Sequence, residues 1–204
     1  MQVADEFEKG LKNGKTYYLM RGKVFAALFF EPSTRTRLSF ESAMLRLGGG
    51  VISVASAATS SAAKGESIGD TALTVSQYAD VVVMRHPQIG SAAEAAEVAT
   101  VSVIYAGDGA GQHPTQALLD VYTIKKEIDK LDGIQVSLVG DLKYGRTVHA
   151  LVELLSLYDI GLRLVSPASL KMPADMVSNL REKGVDVIET ENLVEAAADS
   201  DLLY

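Results

Sequence analysis

The sequence predicts an α/β fold built from two consecutive parallel-sheet domains, and three observations carry that prediction. Short apolar runs such as VFAALFF (24–30) alternate with amphipathic stretches along the chain, which is the pattern of strand, helix, strand units in parallel sheets. Four such runs precede a polar stretch at 125–133, and four follow it. The chain ends on the last run, at Tyr204, with no helix after it to cover the sheet, so we expect the second domain to be incomplete.

The first domain is expected to contain four strands and their crossover helices, because apolar runs of strand length are followed by stretches with helical spacing. We expect strands at 23–30, 50–54, 80–84 and 101–105. We expect helices at 34–47, 68–79, 91–98 and 114–128. A small-residue run extends from Ala55 to Ala63, and the glycine-bounded segment that holds Ser60 and Lys64 is expected to be a flexible loop.

The second domain repeats the alternation without repeating the sequence. We expect its strands at 134–139, 161–165, 185–188 and 201–204. We expect its helices at 146–158, 173–183 and 193–198. We place the boundary near Leu131, which gives domains 1–130 and 131–204 at the small end of the usual domain range.

Composition excludes several classes of protein. No apolar run approaches the roughly 20 residues that span a bilayer, and the start MQVADEFEKG is acidic where a signal peptide is basic and then apolar, so we expect a soluble cytoplasmic protein. A net charge of −7 argues against nucleic acid and membrane partners. With no cysteine and no histidine pair at helical spacing, we expect no metal site. We also expect no cofactor. The turn GDLKYGR lacks the G-x-G-x-x-G of a dinucleotide site.

The segment STRTR (33–37) follows the first apolar strand and opens an amphipathic helix. Ser33 or Thr34 can cap that helix, and the amide groups of its first turn, together with the helix dipole, favour an anion there. Arg35 can hold phosphate oxygens with two parallel hydrogen bonds. The alternative is a capped helix with two solvated arginines, but a cap needs one hydroxyl group and not three.

These residues resemble the carbamoyl-phosphate signature of the aspartate and ornithine carbamoyltransferases. His86-Pro87-Gln88 and the segment 108–116, which contains QHPTQ, follow in the order typical of that family. The segment 59–67 resembles the aspartate form, whose mobile loop has a serine and a lysine, and 139–149 also resembles it, where the ornithine enzymes have an asparagine for their cationic substrate. An arginine there suits the carboxylates of aspartate.

The resemblance implies transfer of the carbamoyl group from carbamoyl phosphate to the α-amine of L-aspartate, a step of de novo pyrimidine biosynthesis. It implies that Thr36, Arg85 and His113 donate to the carbonyl oxygen and that Gln116 accepts from the carbamoyl NH₂ group. It also implies that Arg146 and Lys64 bind aspartate. The implied carbamoyl-phosphate ligands are Ser33, Thr34, Arg35, Thr36, Ser60, Lys64, Arg85, His113 and Gln116. The implied catalytic residues are Arg35, Thr36, Lys64, Arg85 and His113.

The family also implies a homotrimer in which Ser60 and Lys64 reach the active site of a neighbouring subunit. Without the resemblance, Lys64 is a surface lysine and His113 a loop histidine before Pro114. Complete members of the family continue beyond the last strand, through a second aspartate loop and a helix that returns to the first domain. They also have further N-terminal residues, so we expect a chain truncated at both ends, more so at the C-terminus. A non-catalytic chain that binds carbamoyl phosphate or phosphate, and a carbamoyltransferase with another acceptor, stay open, as do regulatory or fused partner chains.

Overall fold

The computed structural model of the protein describes residues 1–109, 111 and 113–204. The chain divides into two compact units, residues 1–111 and 112–204. Each unit contains one four-stranded sheet in which all neighbouring strands are parallel. The predicted fold class, α/β with two consecutive parallel sheets, is therefore confirmed. Among the helices that the structure describes, none is long and apolar enough to cross a membrane.

The first unit has its four strands in the order β2-β1-β3-β4. The strands are β1 (Val24–Phe29), β2 (Gly50–Val54), β3 (Val81–His86) and β4 (Ser102–Asp108). Its helices are α1 (Gln2–Lys12), α2 (Thr34–Arg46), α3 (Ile68–Val75) and α4 (Ser91–Val98). The sequence prediction did not include α1, a surface helix with no buried residue.

Strand β1 lies at the centre of the first unit, and both of its faces are buried. Alternate residues of a strand point to opposite faces, so Ala26 and Leu28 pack with α3 and α4 while Phe25 and Phe29 pack with Met44 of α2. This double burial explains why β1 is a continuous apolar run without polar alternation. The carboxyl ends of β1, β3 and β4 consequently form one edge of the sheet, where the polar segments after each strand meet.

The second unit has the strand order β7-β6-β5-β8. The strands are β5 (Ile134–Val139), β6 (Ile160–Val165), β7 (Asp186–Thr190) and β8 (Leu202–Leu203). The helices are α5 (Pro114–Ile128), α6 (Arg146–Leu155), α7 (Ala174–Glu182) and α8 (Leu193–Ala198). One core, with Leu138, Leu151 and Leu162 among its fully buried side chains, joins α5, α6 and α7 to the sheet.

Helix α5 packs its Val121 and Ile124 into this second core, so the compact units divide before α5. The boundary near Leu131 that the sequence predicts lies after α5, and it stays a prediction. Two helices end more than two residues before their predicted ends: α3 ends at Val75 and α6 at Leu155. In both, the next residue is a serine whose hydroxyl donates to a helix carbonyl, at 2.7 Å in each case, which competes with continuation of the helix.

Candidate functional site

The N-terminus of α2 presents open hydrogen-bond donors at the carboxyl edge of the first sheet. Ser33 is in the N-cap position with extended backbone (φ −158°, ψ 98°), but its side chain makes no capping hydrogen bond. The expectation that Ser33 or Thr34 caps the helix is therefore wrong. The first amide groups of a helix have no intrahelical acceptor, and within the described part of the chain nothing else accepts from residues 34–36. The helix dipole is thus available to an anion.

Arg35 and Arg37 differ although they stand two positions apart. The Arg35 side chain is exposed and makes no hydrogen bond or ion pair with any residue that the structure describes. The Arg37 Nε lies 3.6 Å from Glu41 Oε1, one helical turn along α2, and Glu41 also accepts from the Ser53 hydroxyl at 2.8 Å. Arg37 is therefore engaged within the fold, whereas Arg35 is available to a ligand.

Arg85 is a buried guanidinium group at the end of β3, with 4% of its side chain exposed. Its Nη2 lies 2.5 Å from Glu31 Oε1, and its Nη1 donates to the Ala106 carbonyl at 3.2 Å. The other Glu31 oxygen accepts from the Gly109 amide at 3.0 Å. The Glu31 carboxylate, which follows β1, therefore joins the end of β3 to the residue after β4, and it fixes where the Arg85 guanidinium lies.

Two further polar residues order the same edge of the first sheet. Asp108 is buried and accepts from the Gly90 amide at 2.7 Å and from the Tyr105 hydroxyl. His86 Nδ1 accepts from the Gln88 amide at 3.0 Å, and its ring packs edge-on against Phe30. Burial lowers the pKa of His86 below the ordinary 6.5, against the opposing effect of the Glu94 and Glu31 carboxylates. His86 is thereby favoured in its neutral form.

The segment expected to be a flexible loop folds into two single turns of 3₁₀ helix, Ala57–Thr59 and Ser61–Lys64. The Ser60 hydroxyl caps the second turn, accepting from the Ala62 amide at 3.3 Å and donating to the Ala57 carbonyl at 2.9 Å. Gly65 ends that turn at φ 90°, a conformation that suits a residue without a side chain. Lys64 is exposed and makes no ion pair or hydrogen bond with the described residues.

In the second unit, His113 and Gln116 stand at the start of α5. His113 occupies the N-cap position before Pro114, and its Nδ1 lies 3.4 Å from the Thr115 hydroxyl oxygen. The Gln116 Nε2 donates to Asp120 Oδ1 at 2.9 Å, and the Tyr204 hydroxyl donates to Asp120 Oδ2 at 3.0 Å.

The Tyr204 hydroxyl titrates above its ordinary range. Burial raises the pKa of Tyr204 above 10.0, a hydrogen bond with Thr147 lowers it, and the Asp120 carboxylate raises it further. The Tyr204 hydroxyl therefore stays protonated at neutral pH and remains a donor to Asp120.

A tight turn holds Arg146 as the first residue of α6, at the carboxyl edge of the second sheet. Asp141 Oδ1 accepts from the amides of Lys143 and Tyr144 at 3.1 and 2.9 Å. A Cβ on Gly145 would lie 2.4 Å from the Asp141 carbonyl oxygen, so only glycine fits there. Ligands of α/β folds bind at this edge of a sheet.

The predicted residues divide between the two units. The first unit contains Ser33, Thr34, Arg35, Thr36, Ser60, Lys64 and Arg85, and the second contains His113, Gln116 and Arg146. Gln112 of the predicted QHPTQ motif lies outside the described residues. Sequence reasoning gave no role to Glu31, Asp108, Asp120 or Tyr204. The sequence signals were the motif segment 108–116, which includes Asp108, and the spacing of four between Gln116 and Asp120, which places both on one side of a helix.

In the described chain no group of three or more His, Cys, Asp or Glu side chains could hold a metal ion. The donor groups at the first site are amides, hydroxyls and guanidinium groups. They suit an anionic ligand, and phosphate in particular.

Comparisons of the sequence with known protein families give two matches, one for each half of the chain. A sequence model of the family described as aspartate/ornithine carbamoyltransferase, carbamoyl-P binding domain, matches residues 1–126. A second, described as aspartate/ornithine carbamoyltransferase, Asp/Orn binding domain, matches residues 132–204. The chain is 56% identical over 204 residues to the aspartate carbamoyltransferase catalytic subunit of Thermococcus gammatolerans, covering 100% of this chain and 66% of that protein.

Solved structures of aspartate transcarbamoylases also resemble the chain. The chain resembles the catalytic subunit of Methanocaldococcus jannaschii aspartate transcarbamoylase with a TM-score of 0.92 and 50% identity, over 98% of this chain and 66% of that one. It resembles the Trypanosoma cruzi aspartate transcarbamoylase, in a complex with carbamoyl phosphate and aspartate, with a TM-score of 0.92 and 43% identity, over 99% and 65%. The chain thus spans about two thirds of the length of the relatives that it matches.

Proposed function

Because the chain belongs to the aspartate/ornithine carbamoyltransferase family, we propose that it transfers the carbamoyl group of carbamoyl phosphate to the α-amine of L-aspartate. The products are N-carbamoyl-L-aspartate and phosphate, and the reaction belongs to de novo pyrimidine biosynthesis. It is a nucleophilic attack on a carbonyl carbon with loss of phosphate, which needs no cofactor. We assign the chain to the cytoplasm on the same grounds.

The single observation that carries this proposal is the open N-terminus of α2. Three amide groups, the hydroxyls of Ser33, Thr34 and Thr36, and the exposed Arg35 have no acceptor in the described chain. Phosphate supplies oxygen acceptors for all of these donor types, and its charge is favoured by the helix dipole. These residues are proposed to bind the phosphate of carbamoyl phosphate and to stabilise the charge that it gains as it leaves.

The carbonyl group of the substrate needs donors of its own, because its oxygen becomes an oxyanion when the amine attacks. We assign this role to Thr36, Arg85 and His113. Preorganised donors lower such a barrier because they need no reorganisation during the reaction. Arg85 is suited to it, since Glu31 and the Ala106 carbonyl already fix its guanidinium group. Gln116 is proposed to accept from the carbamoyl NH₂ group.

Aspartate is proposed as the acceptor because cationic side chains occupy the two segments where the ornithine enzymes differ. Arg146 is the first residue of α6, and Lys64 is exposed without a partner in the described chain. Both side chains attract carboxylates, whereas either would repel the ammonium group of ornithine. The T. cruzi relative was solved with carbamoyl phosphate and aspartate together, which supports this choice of substrates.

The assay that tests the function measures N-carbamoyl-aspartate formation by the purified chain, with L-ornithine in place of L-aspartate as the matched control. Turnover with aspartate and none with ornithine supports the proposal. Binding of carbamoyl phosphate without turnover under saturating aspartate would favour the non-catalytic alternative. Absence of carbamoyl-phosphate binding in titration calorimetry would overturn the phosphate site itself.

The catalytic unit is proposed to be a homotrimer in which Ser60 and Lys64 act in the site of a neighbouring subunit. Lys64 has no partner in its own described chain, as such a role requires. If sites are shared, mixing a Lys64→Ala chain with an Arg35→Ala chain assembles some sites with both residues intact, so activity returns. Neither variant alone, nor a mixture kept from exchanging subunits, should show it. No recovery on mixing would refute the shared site.

A further inference from the structure

The Gln116 amide has two chemically different ends, and only one of them suits the proposed substrate. The carbamoyl NH₂ group is a donor, so it requires the Gln116 Oε1 and is repelled by the Nε2. In the structure, Nε2 donates to Asp120 Oδ1 at 2.9 Å. That leaves Oε1 as the end available for a donor outside the α5 pair.

A carboxylate dictates this orientation because it can only accept. If the Gln116 amide turned over, Oε1 would face Asp120 Oδ1, and two acceptors would be in contact. The spacing of four residues on α5 keeps the pair side by side. Asp120 thus selects one of two amide orientations that have nearly the same shape.

Asp120 is itself held from the other side. The Tyr204 hydroxyl donates to its Oδ2 at 3.0 Å. The backbone of Tyr204 is fixed in the second sheet, because its amide donates to the Ser137 carbonyl at 2.9 Å and its carbonyl accepts from the Val139 amide at 3.0 Å. A rigid strand end therefore positions the Asp120 carboxylate, and the carboxylate positions the amide.

We propose that Asp120, held by Tyr204, is a positioning residue that keeps the Gln116 Oε1 directed to the substrate and so makes the site select an NH₂ group over a methyl group. This inference rests on the proposed function. It gives the hydrogen bond between Gln116 and Asp120, on one face of α5, a role in substrate specificity.

Acetyl phosphate is the probe that tests this selectivity, because it has a methyl group where carbamoyl phosphate has NH₂. The measurement is the ratio of the two dissociation constants, determined by titration calorimetry for the full chain, with inorganic phosphate as a third ligand. We expect wild type to bind carbamoyl phosphate about tenfold more tightly, which corresponds to one hydrogen bond. Gln116→Ala should bring the ratio close to one.

Asp120→Ala should also bring the ratio close to one, and Asp120→Asn should do the same. If the asparagine oxygen accepts from the Tyr204 hydroxyl as Asp120 does in wild type, the asparagine NH₂ group faces Gln116 and favours the turned amide, which withdraws Oε1 from the substrate. Tyr204→Phe should reduce the ratio by less than Asp120→Ala. The matched control is Glu127→Ala, which removes an exposed carboxylate from the same helix. Phosphate affinity should stay at the wild-type value in all variants.

Two results would overturn the inference alone. One is a wild-type ratio in Asp120→Ala together with its loss in Gln116→Ala. The other is a loss of phosphate affinity in Asp120→Ala parallel to the loss for carbamoyl phosphate, which would mean a general structural role. A wild-type protein that does not distinguish the two acyl phosphates would instead refute the role of Gln116 in the proposed function, and the inference with it.

Discussion

The two arginines at the carboxyl edge of the first sheet hold the same charge in opposite surroundings. Arg35, in the first turn of α2, is exposed and unengaged in the described chain, whereas Arg85, at the end of β3, is buried and ion-paired to Glu31. A guanidinium group in water costs nothing to leave unpaired, but a buried one must be paired. Arg35 is therefore a flexible ligand for an anion, and Arg85 is a fixed one.

The difference has a consequence for binding. A phosphate that contacts Arg35 displaces only water. A ligand that contacts Arg85 competes for the guanidinium group with the Glu31 carboxylate, which lies 2.5 Å away. In return, the Arg85 guanidinium loses little conformational freedom when the ligand arrives. The comparison predicts that one arginine contributes to affinity alone and the other to both folding and function.

The largest effect is expected from removing the buried arginine. Arg85→Ala removes the guanidinium partner of Glu31, whose side chain is only 19% exposed, and we expect a loss of about 3–5 kcal/mol in the free energy of unfolding. Urea denaturation measures it. The double variant Arg85→Met with Glu31→Gln removes both charges and should recover most of the loss. A loss below about 1 kcal/mol in Arg85→Ala would show that the ion pair does not support the fold.

A smaller effect, on binding alone, is expected from the exposed arginine. Arg35→Ala removes a charge-assisted contact from a phosphate site that is otherwise intact, so carbamoyl-phosphate binding should weaken by about 1.5–3 kcal/mol. The free energy of unfolding should change by less than about 0.5 kcal/mol. Arg46→Ala, in the last turn of α2, is the matched control and should leave calorimetric affinity unchanged. Equal affinities for Arg35→Ala and wild type would remove Arg35 from the site.

The smallest effect concerns His86, the residue after Arg85. Its pKa is lowered by burial, so the folded state prefers the neutral ring. The stability that His86 contributes is complete above the ordinary pKa of 6.5 and is lost as the pH falls through the lower, folded value. His86→Asn keeps an acceptor for the Gln88 amide and cannot titrate. Its unfolding free energy should therefore fall less than that of wild type below pH 6.5, and parallel pH profiles would contradict this account.

The sequence predicted the sheets well because burial on both faces leaves a direct trace. The run 24–30 has no polar residue, and β1 lies between two apolar clusters. The helix ends at Val75 and Leu155 were not predictable from periodicity, because at each end a serine hydroxyl bonds to a helix carbonyl and competes with continuation of the helix. Local patterns record which face is buried, but they do not record which of two competing hydrogen bonds forms.

The candidate site likewise has one part that a local pattern predicts and another part that it does not. The donors of α2 are contiguous in sequence, so their chemistry was readable from STRTR alone. Two of the contacts that position the other groups join residues remote in sequence: Glu31 and Arg85 are 54 residues apart, and Asp120 and Tyr204 are 84 apart. Only the strand order brings such pairs together. The expected serine cap was wrong, because the Ser33 side chain makes no capping hydrogen bond. A hydroxyl that caps its own helix is less available to a ligand.

The two serine-capped turns at 57–64 have an entropic consequence. Fixing the backbone of one residue costs about 1–2 kcal/mol at room temperature. If this loop were unstructured, ordering it when a ligand binds would offset much of the binding free energy. Here Ser56 and Ser60 accept from the Ala58 and Ala62 amides within the loop's own chain. Much of that ordering is complete before any ligand or second subunit arrives, and the side chain of Lys64 is the main part left to be restrained.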